Sequence, residues 1–300
     1  MANRRVLVKR RKAVRNIRKI TRTMQLIATA RFQQAHQRAV ASKPYTEKLA
    51  ELARQIARAA GTVAHPLLES REEPERTAVV VLTSMRGLCG GYNANVLRLA
   101  VEHLEGQRRR GIEPETHMVG KKGVAYFRFL GRPLAETVTV SDRPRFEEVE
   151  PIANRLMERF VAGEIDAAYV VYMRFVSASR QEPVAVRLLP LAETPVPEVA
   201  AEERRRSPAD EPGRAIEFEF SPSPQELLDE LLPATVRVRL FQAFIDAAVA
   251  EQVARMVAMK AATDAAEDMI RDLTRRYNRA RQTQITLELL DIVGGANALA

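Results

Sequence analysis

Ile245-Asp-Ala-Ala-Val-Ala-Glu-Gln-Val-Ala-Arg-Met-Val-Ala-Met259 is the middle of a stretch, Ala234 to Val293, that contains neither proline nor glycine. Nothing in its covalent chemistry stops a helix there: every residue keeps its amide hydrogen and none brings the backbone freedom of glycine. At ~1.5 Å of rise per residue the helix would run to roughly 90 Å. A row with a seven-residue period passes through Ile245, Gln252, Met259, Ala266, Leu273, Ala280 and Leu287, with Phe241, Ala248, Ala262, Met269 and Leu290 on companion positions. That period predicts a coiled-coil seam. Arg255, Arg276 and Thr283 on companion positions and Gln252 on the main row make the seam imperfect. Pro224 and Pro233 punctuate its start.

The other end of the chain has the same texture. Ile17, Ile20, Met24 and Ile27 are spaced three, four and three apart, and Ala28, Phe32, Ala35 and Ala39 carry on a row shifted by one position. Leu49, Leu52, Ile56 and Ala59 extend it to Gly61 and Pro66. Pro44 is expected to kink or interrupt this helix, since it lacks an amide hydrogen and its ring crowds the carbonyl of Val40. Two long amphipathic helices at opposite ends of one chain bury their apolar rows most simply on each other, and the expectation is an antiparallel pair.

Between them the pattern turns to α/β. Thr77–Thr83 is a continuous β-branched run of the kind buried on both faces of a sheet. A helix is expected from Ala94 to Arg109, then a strand Glu115–Val119, a helix Lys122–Leu130, a strand Glu136–Val140, a helix Phe146–Ala162, a strand Ala167–Phe175 and an edge strand Val184–Leu189. Such alternation predicts a mostly parallel sheet flanked by helices. The fold class is therefore α/β plus a long α-helical coiled coil. The expected divisions are an N-terminal helix over 1–60, an α/β domain over 70–192, a loop with an edge strand over 193–223 and a C-terminal helix over 224–300. Pro195, Pro197 and the charged run Glu202–Arg206 mark the loop, which is expected to lack order.

Composition narrows the function. No segment approaches the ~20 apolar residues of a membrane span, and the opening Met1-Ala-Asn-Arg-Arg5 has no hydrophobic signal region, so the chain is expected to stay in the compartment that makes it. Cys89 is the single cysteine and the four histidines are scattered, which excludes an internal disulfide and a zinc-type ligand pattern. Asp264, Glu267 and Asp268 share a helix face, but no histidine or glycine-turned loop stands beside them, and they read as a solvated face. The turn Arg86-Gly-Leu-Cys-Gly-Gly-Tyr-Asn93 lies where a nucleotide loop would, yet it is Gly-x-x-Gly-Gly with no Gly-x-Gly-x-x-Gly and no Gly-Lys-Ser/Thr. Nothing assembles a nucleophile, a base and an oxyanion donor, so no catalysis, cofactor or metal is expected.

The net charge of +9 is concentrated at the start: ten lysines and arginines stand in the first 22 residues, and the first acid is Glu47. Three partners suit such a block: water, a nucleic acid, or an acidic protein surface. Stacking aromatics, usual on nucleic-acid surfaces, are limited to Phe32 in the first 44 residues.

Particular motifs add to this. Ala254-Arg-Met-Val-Ala-Met-Lys-Ala-Ala-Thr-Asp264, Tyr277-Asn-Arg-Ala-Arg-Gln282, Ile285-Thr286, Glu288 and Ile292-Val-Gly-Gly-Ala296 occur in that order. Arg18-Lys-Ile-Thr21 with Met24, Ser42-Lys-Pro-Tyr45, Arg86-Gly-Leu-Cys-Gly-Gly91 with Asn93, and Leu188-Leu-Pro190 precede them. Together they closely resemble the gamma subunit of F-type ATP synthases, over essentially the whole chain.

The resemblance implies a central-stalk rotor without chemistry of its own. Its partners would be a ring of three alpha and three beta subunits, the epsilon subunit and the membrane ring of c subunits, at the cytoplasmic face of the cell membrane. It assigns Arg281, Gln282, Thr286 and Glu288 to contacts with ring loops, and Met24 with Arg18, Lys19 and Arg22 to an acidic lever loop of beta. It puts the final apolar run from Leu287 in the upper sleeve of the ring, and Gly87, Cys89, Gly90 and Gly91 at the base near epsilon and the membrane ring. Three features depart from the family pattern: Met85 where an aspartate is usual, Phe32 with Gln33-Gln34 in a stretch usually more basic, and a longer loop over Glu193–Arg214. A basic coiled coil that binds nucleic acid is the competing reading.

Overall fold

The computed structural model describes residues 4–59, 65–69, 71, 74–191 and 223–299. The turn at Gly61 and the loop Glu193–Arg214 lie outside them. In chain order the described elements are α1 (Arg4–Ala59), β1 (Arg76–Leu82), α2 (Tyr92–Arg108), β2 (Glu113–Val119), α3 (Lys121–Phe129), β3 (Glu136–Val138), α4 (Phe146–Val161), β4 (Ala167–Phe175), β5 (Gln181–Leu189) and α5 (Pro224–Leu299). They fall into two compact units: a sheet unit of Phe32–Gly87 with Gly91–Glu251, and a helical unit of Met1–Arg31, Leu88–Gly90 and Gln252–Ala300.

In the sheet unit β1 is buried from its second residue onward, as a β-branched run at the centre of a sheet must be. The strand order is β3-β2-β1-β4-β5. β1 pairs in parallel with β2 and β4, Val79 lying opposite both Thr116 and Tyr169, and β2 pairs in parallel with β3. Each parallel step needs a crossover, and α2, α3 and α4 supply them. Only β5 runs antiparallel, against β4. The tight turn Ser177–Arg180, in which each residue's amide donates to the other's carbonyl, makes that reversal.

Successive residues of β1 face opposite sides of the sheet. Ala78, Val80 and Leu82 join a core with Val149, Ala153, Leu156 and Phe160 of α4 and with Leu228, Leu232, Val236 and Leu240 of α5. The helix α2 packs on β1, β2, β4 and β5 through a face that includes Val96, Ala100 and Leu104. Further along the two long helices, Ala39 of α1 meets Ile245 and Val249 of α5, and Ser42 Oγ donates to Gln242 Oε1 at 3.0 Å.

Polar groups close the ends of the strands. Thr83 Oγ1 donates to the carbonyl of Val119 at 2.7 Å and accepts from the amide of Gly123 at 3.0 Å. The approach is close enough to exclude a side chain: a Cβ on Gly120, whose φ is +93°, would stand 2.2 Å from the carbonyl oxygen of Thr83. At the opposite end Asp166 accepts from the amides of Glu75 at 2.9 Å and Arg76 at 2.8 Å and pairs with Arg71.

One expectation about the helices is corrected. Pro44 does not interrupt α1, and Pro233 also lies inside its helix. Pro44 and Val40 are exposed, so the Val40 carbonyl that loses its amide partner is open to solvent, and packing at Ala39 and Leu49 on either side holds the helical path. At Pro233 the neighbours Leu232 and Val236 are buried in the core. Tertiary burial outweighs the local cost in both places.

Candidate partner-binding surface

The helical unit is an antiparallel pair. The guanidinium of Arg11 lies 5.0 Å from the ring centroid of Tyr277, Arg18 pairs with Glu267 at 3.5 Å, and the hydroxyl of Thr263 donates to Thr21 Oγ1 at 2.8 Å. Numbers that rise along α1 meet numbers that fall along α5. The seam takes Leu7, Val14, Thr21 and Ala28 from α1, one every seven residues, and Gln252, Met259, Ala266 and Leu273 from α5 at the same interval. Gln252 is thus buried despite its polarity, and so is Arg255.

Two details of the expected seam are corrected. The companion row on α5 is not the one through Met269 and Leu290, which are 53% and 61% exposed. It runs four residues after each main position, not three, through Thr263, Ile270 and Tyr277. Steps of three and four lie about 60° and 40° to either side of the main row on a 3.6-residue helix, so a repeat of seven fits both. On α1 the row Ile17, Ile20 and Ile27 was expected inside, and it faces outward at 52%, 59% and 49% exposure. This helix carries two rows about 100° apart. The one with the smaller side chains makes the seam.

The expected contact residues form two separate groups. Met24 is half-buried at the margin of the seam, Arg18 is partly buried in its pair with Glu267, and Lys19 and Arg22 are exposed, Arg22 donating to Gln25 Oε1 at 3.1 Å. Arg281, Gln282, Thr286 and Glu288 are exposed on α5. There Thr286 Oγ1 donates to the carbonyl of Gln282 at 3.0 Å and Gln284 Nε2 to Glu288 Oε1 at 2.8 Å. From Thr263, opposite Thr21, to Arg281 is ~27 Å of helix, so one partner loop does not serve both groups. Around the second group Ile285, Leu287, Leu289, Leu290, Ile292 and Val293 are all exposed. Two of the three acids of the middle section are ion-paired, Glu267 to Arg18 and Asp268 to Arg271, and among the described residues no cluster of His, Cys, Asp or Glu is arranged to hold a metal.

The glycine-rich turn joins two surroundings. Within the sheet unit the Asn93 side chain closes the end of β1: its Oδ1 accepts from the Ser84 amide at 3.0 Å and its Nδ2 donates to Ser84 Oγ at 2.7 Å. An acceptor is thus supplied at this strand end although Met85 offers none. Within the helical unit Gly90, at φ +55°, rests against α5, where a Cβ would lie 3.7 Å from that of Ala258 and 3.8 Å from the carbonyl oxygen of Ala254. Cys89 is buried, and Leu88, at φ +65°, is exposed. No helix among the described residues is long and apolar enough to cross a membrane.

Comparison with known proteins decides the lineage. The family model for ATP synthase matches residues 3–299. The ATP synthase gamma chain of Rhodopirellula baltica is 46% identical over 300 residues, 100% of this chain and 99% of that one. The chain belongs to the ATP synthase gamma-chain family. The gamma chain of a Parafrankia species is 43% identical over 297 residues, 97% of this chain and 96% of its own. Among solved structures, the fold is similar to a chain of the Euglena gracilis mitochondrial ATP synthase solved with OSCP, F1 and the c-ring, at a TM-score of 0.62 and 17% identity over 99% of this chain and 94% of that one. It is also similar to a central-stalk chain from Tetrahymena thermophila, at a TM-score of 0.58 and 19% identity over 81% and 99% of the two. The gamma chain is a non-catalytic subunit of its complex, in keeping with a sequence that assembles no catalytic group. Nothing in this lineage supports the nucleic-acid reading.

The row of outward-facing isoleucines was missed as a surface because sequence periodicity marks an apolar row without saying which way it turns. One signal was present: no acid accompanies it before Glu47, although an exposed face in water usually mixes both signs.

Proposed function

We propose that this chain is the central-stalk rotor subunit of an F-type ATP synthase, coupling ion-driven rotation of a membrane c-ring to ATP synthesis or hydrolysis in a ring of three alpha and three beta subunits, with epsilon as a further partner. The observation that carries it is the antiparallel pair in the helical unit, whose sides are chemically unlike: basic and apolar on α1, ion-paired and acidic along the middle of α5. An asymmetric body inside a threefold ring touches each catalytic subunit with a different face. The three sites are then inequivalent, and turning the body carries each through the set of states. Moving a site from 1:99 to 99:1 takes about 5.5 kcal/mol of differential binding, which many graded contacts supply without chemistry in the rotor.

In this reading Met24, Arg18, Lys19 and Arg22 meet the acidic lever loop of beta. Arg281, Gln282, Thr286 and Glu288 meet ring loops, and the apolar residues from Leu287 onward turn in the upper sleeve. Gly87, Cys89, Gly90 and Gly91 lie at the base beside epsilon and the c-ring. The domain divisions at 1–60, 70–192, 193–223 and 224–300 belong to the same proposal, as does attachment at the cytoplasmic face of the cell membrane through the complex.

The test is stoichiometry. Expressed with its own alpha and beta subunits, the chain should co-purify as one copy per three of each. A chain recovered free, or in threes, sinks the reading.

A further inference from the structure

Between α3 and β3, at the free edge of the sheet, lies a cavity of about 290 Å³. One wall is a single face of α3: Lys121, Val124, Ala125 and Arg128 are spaced as neighbours along one side of a helix. The other wall is β3 with the residue after it. Val138 packs on the core shared with α4, so the alternation of a strand turns Thr137 and Thr139 toward α3. The amide of Gly120 donates to the carbonyl of Val138 at 3.3 Å, which sets the start of α3 level with the end of β3. Lys121 therefore stands at the Thr139 end, and Arg128 lies ~10 Å further along the helix, toward Thr137. Among the described residues no acid pairs with Lys121 or Arg128, and neither threonine hydroxyl makes a hydrogen bond. The acids close by in sequence are engaged elsewhere: Glu136 with His117 and Arg155 on the opposite face of the sheet, and Asp142 with Arg86. The first amides of α3 are also taken, that of Lys122 by the Ser84 carbonyl at 3.2 Å and that of Gly123 by Thr83 Oγ1 at 3.0 Å. Side chains, not a bare helix end, define this cleft.

We infer that the cleft binds an organic phosphate of nucleotide size. Two cations without acids and two unbonded hydroxyls around one cavity are donors that an anion satisfies. A bare ion would use only one end of it, because Val124, Ala125 and Val138 make the floor between the cations apolar. The phosphoryl group takes Lys121 and the Thr139 hydroxyl, at the helix end whose dipole also favours negative charge. The apolar body lies over the floor, and the planar guanidinium of Arg128 stacks on its ring. A volume near the lower bound of roughly 300 Å³ for ligand pockets suits one nucleotide and not a dinucleotide. Every residue involved belongs to the sheet unit, so the inference goes beyond the rotor reading and is independent of it.

The test is calorimetric titration of the purified full chain with ADP, inorganic phosphate and adenosine, without alpha and beta, whose catalytic sites would also take nucleotide. ADP should saturate with a Kd below about 1 mM, phosphate should bind at least about tenfold more weakly, and adenosine should not saturate. Lys121→Gln and Arg128→Gln should each weaken ADP by about tenfold or more, as the loss of a charge-assisted hydrogen bond does. Lys122→Gln removes an equal charge from a residue that does not line the cavity, and should leave the affinity unchanged. All three side chains are exposed, so the variants should melt with the wild type. Absence of saturation by ADP overturns the inference. So does a loss in Lys122→Gln as large as in Lys121→Gln, which would mean diffuse basic charge, and so does phosphate binding as tightly as ADP, which would mean a site for a bare anion. None of these outcomes touches the rotor reading, whose test is stoichiometry.

Discussion

The hydroxyl of Thr263 donates to Thr21 Oγ1 at 2.8 Å, and Thr21 in turn donates to the carbonyl of Arg18 at 3.1 Å, inside a seam otherwise made of Leu7, Val14, Ala28, Met259, Ala266 and Leu273. A buried polar pair has a partner in one register only, whereas apolar contacts tolerate sliding by a heptad. Replacing Thr21 alone by valine should cost about 1 kcal/mol, because the hydrogen bond across the seam is lost and the Thr263 hydroxyl keeps only the carbonyl of Met259, at 2.8 Å. Thr21→Val/Thr263→Val together should cost less than the two single changes added. Urea unfolding of the four chains, followed by circular dichroism, reads the coupling; strict additivity would mean that the two hydroxyls do not interact.

Leu273 and Met269 separate the main row from the companion row first expected. Leu273 is 8% exposed and packs with Leu7, Val14 and Ile270. Leu273→Glu should lower stability by about 3 kcal/mol, since a charge is forced into an apolar seam. Met269→Glu should stay within about 0.5 kcal/mol of wild type, as surface changes do. The thermal midpoint of the purified chain checks both.

Acid should loosen the sheet unit from Asp166 and Glu115. Burial opposes ionisation of Asp166, yet the amides of Arg76 and Glu75 and the Arg71 guanidinium hold its pKa below the ordinary value. The hydrogen bond from Arg159 lowers that of Glu115 against a smaller effect of burial. A carboxylate with a lowered folded-state pKa contributes stability that is complete above its unfolded pKa and is lost as pH falls through the folded one. Unfolding midpoints measured downward from pH 7 should thus hold until the ordinary carboxylate range and then drop. Asp166→Asn should cost about 2–4 kcal/mol at neutral pH, with a shallower acid slope. An unchanged slope would assign the acid loss elsewhere.

Gly120→Ala tests the close approach of that glycine to the backbone of Thr83. The new Cβ meets the Thr83 carbonyl oxygen at 2.2 Å on a backbone at φ +93°, and the expected loss is about 3 kcal/mol or more. Gly111→Ala is the control, because Gly111 also has a positive φ, +81°, but no atom within 4 Å of the new Cβ. It should cost only the backbone term of about 1 kcal/mol. Equal losses would mean that strain, not contact, dominates at Gly120.

Much of the fold was legible because local signals agreed with tertiary ones. The run Thr77-Ala-Val-Val-Val-Leu82 can be satisfied only by burial on both faces, and Ala167–Phe175 was delimited to the residue. β3 was overextended because its pairing with β2 stops at Val138, a partner choice that β-propensity does not carry. Pro44 was misread because a breaker is weighed locally, while α1 is held by contacts distant in sequence. The partner surface was half legible. Motifs located Arg281, Gln282, Thr286 and Glu288 on an exposed helix, but a heptad row gives no direction, and Ile17, Ile20 and Ile27 faced the other way.

The outward isoleucines also bear on the life of the chain before assembly. A newly made copy carries hydrocarbon in water on two stretches, Ile17–Ile27 and Ile285–Val293, and two such copies have every reason to stick to each other. Its solubility should then depend on how quickly other subunits arrive, so that overproduction without them yields clumped material while balanced synthesis does not.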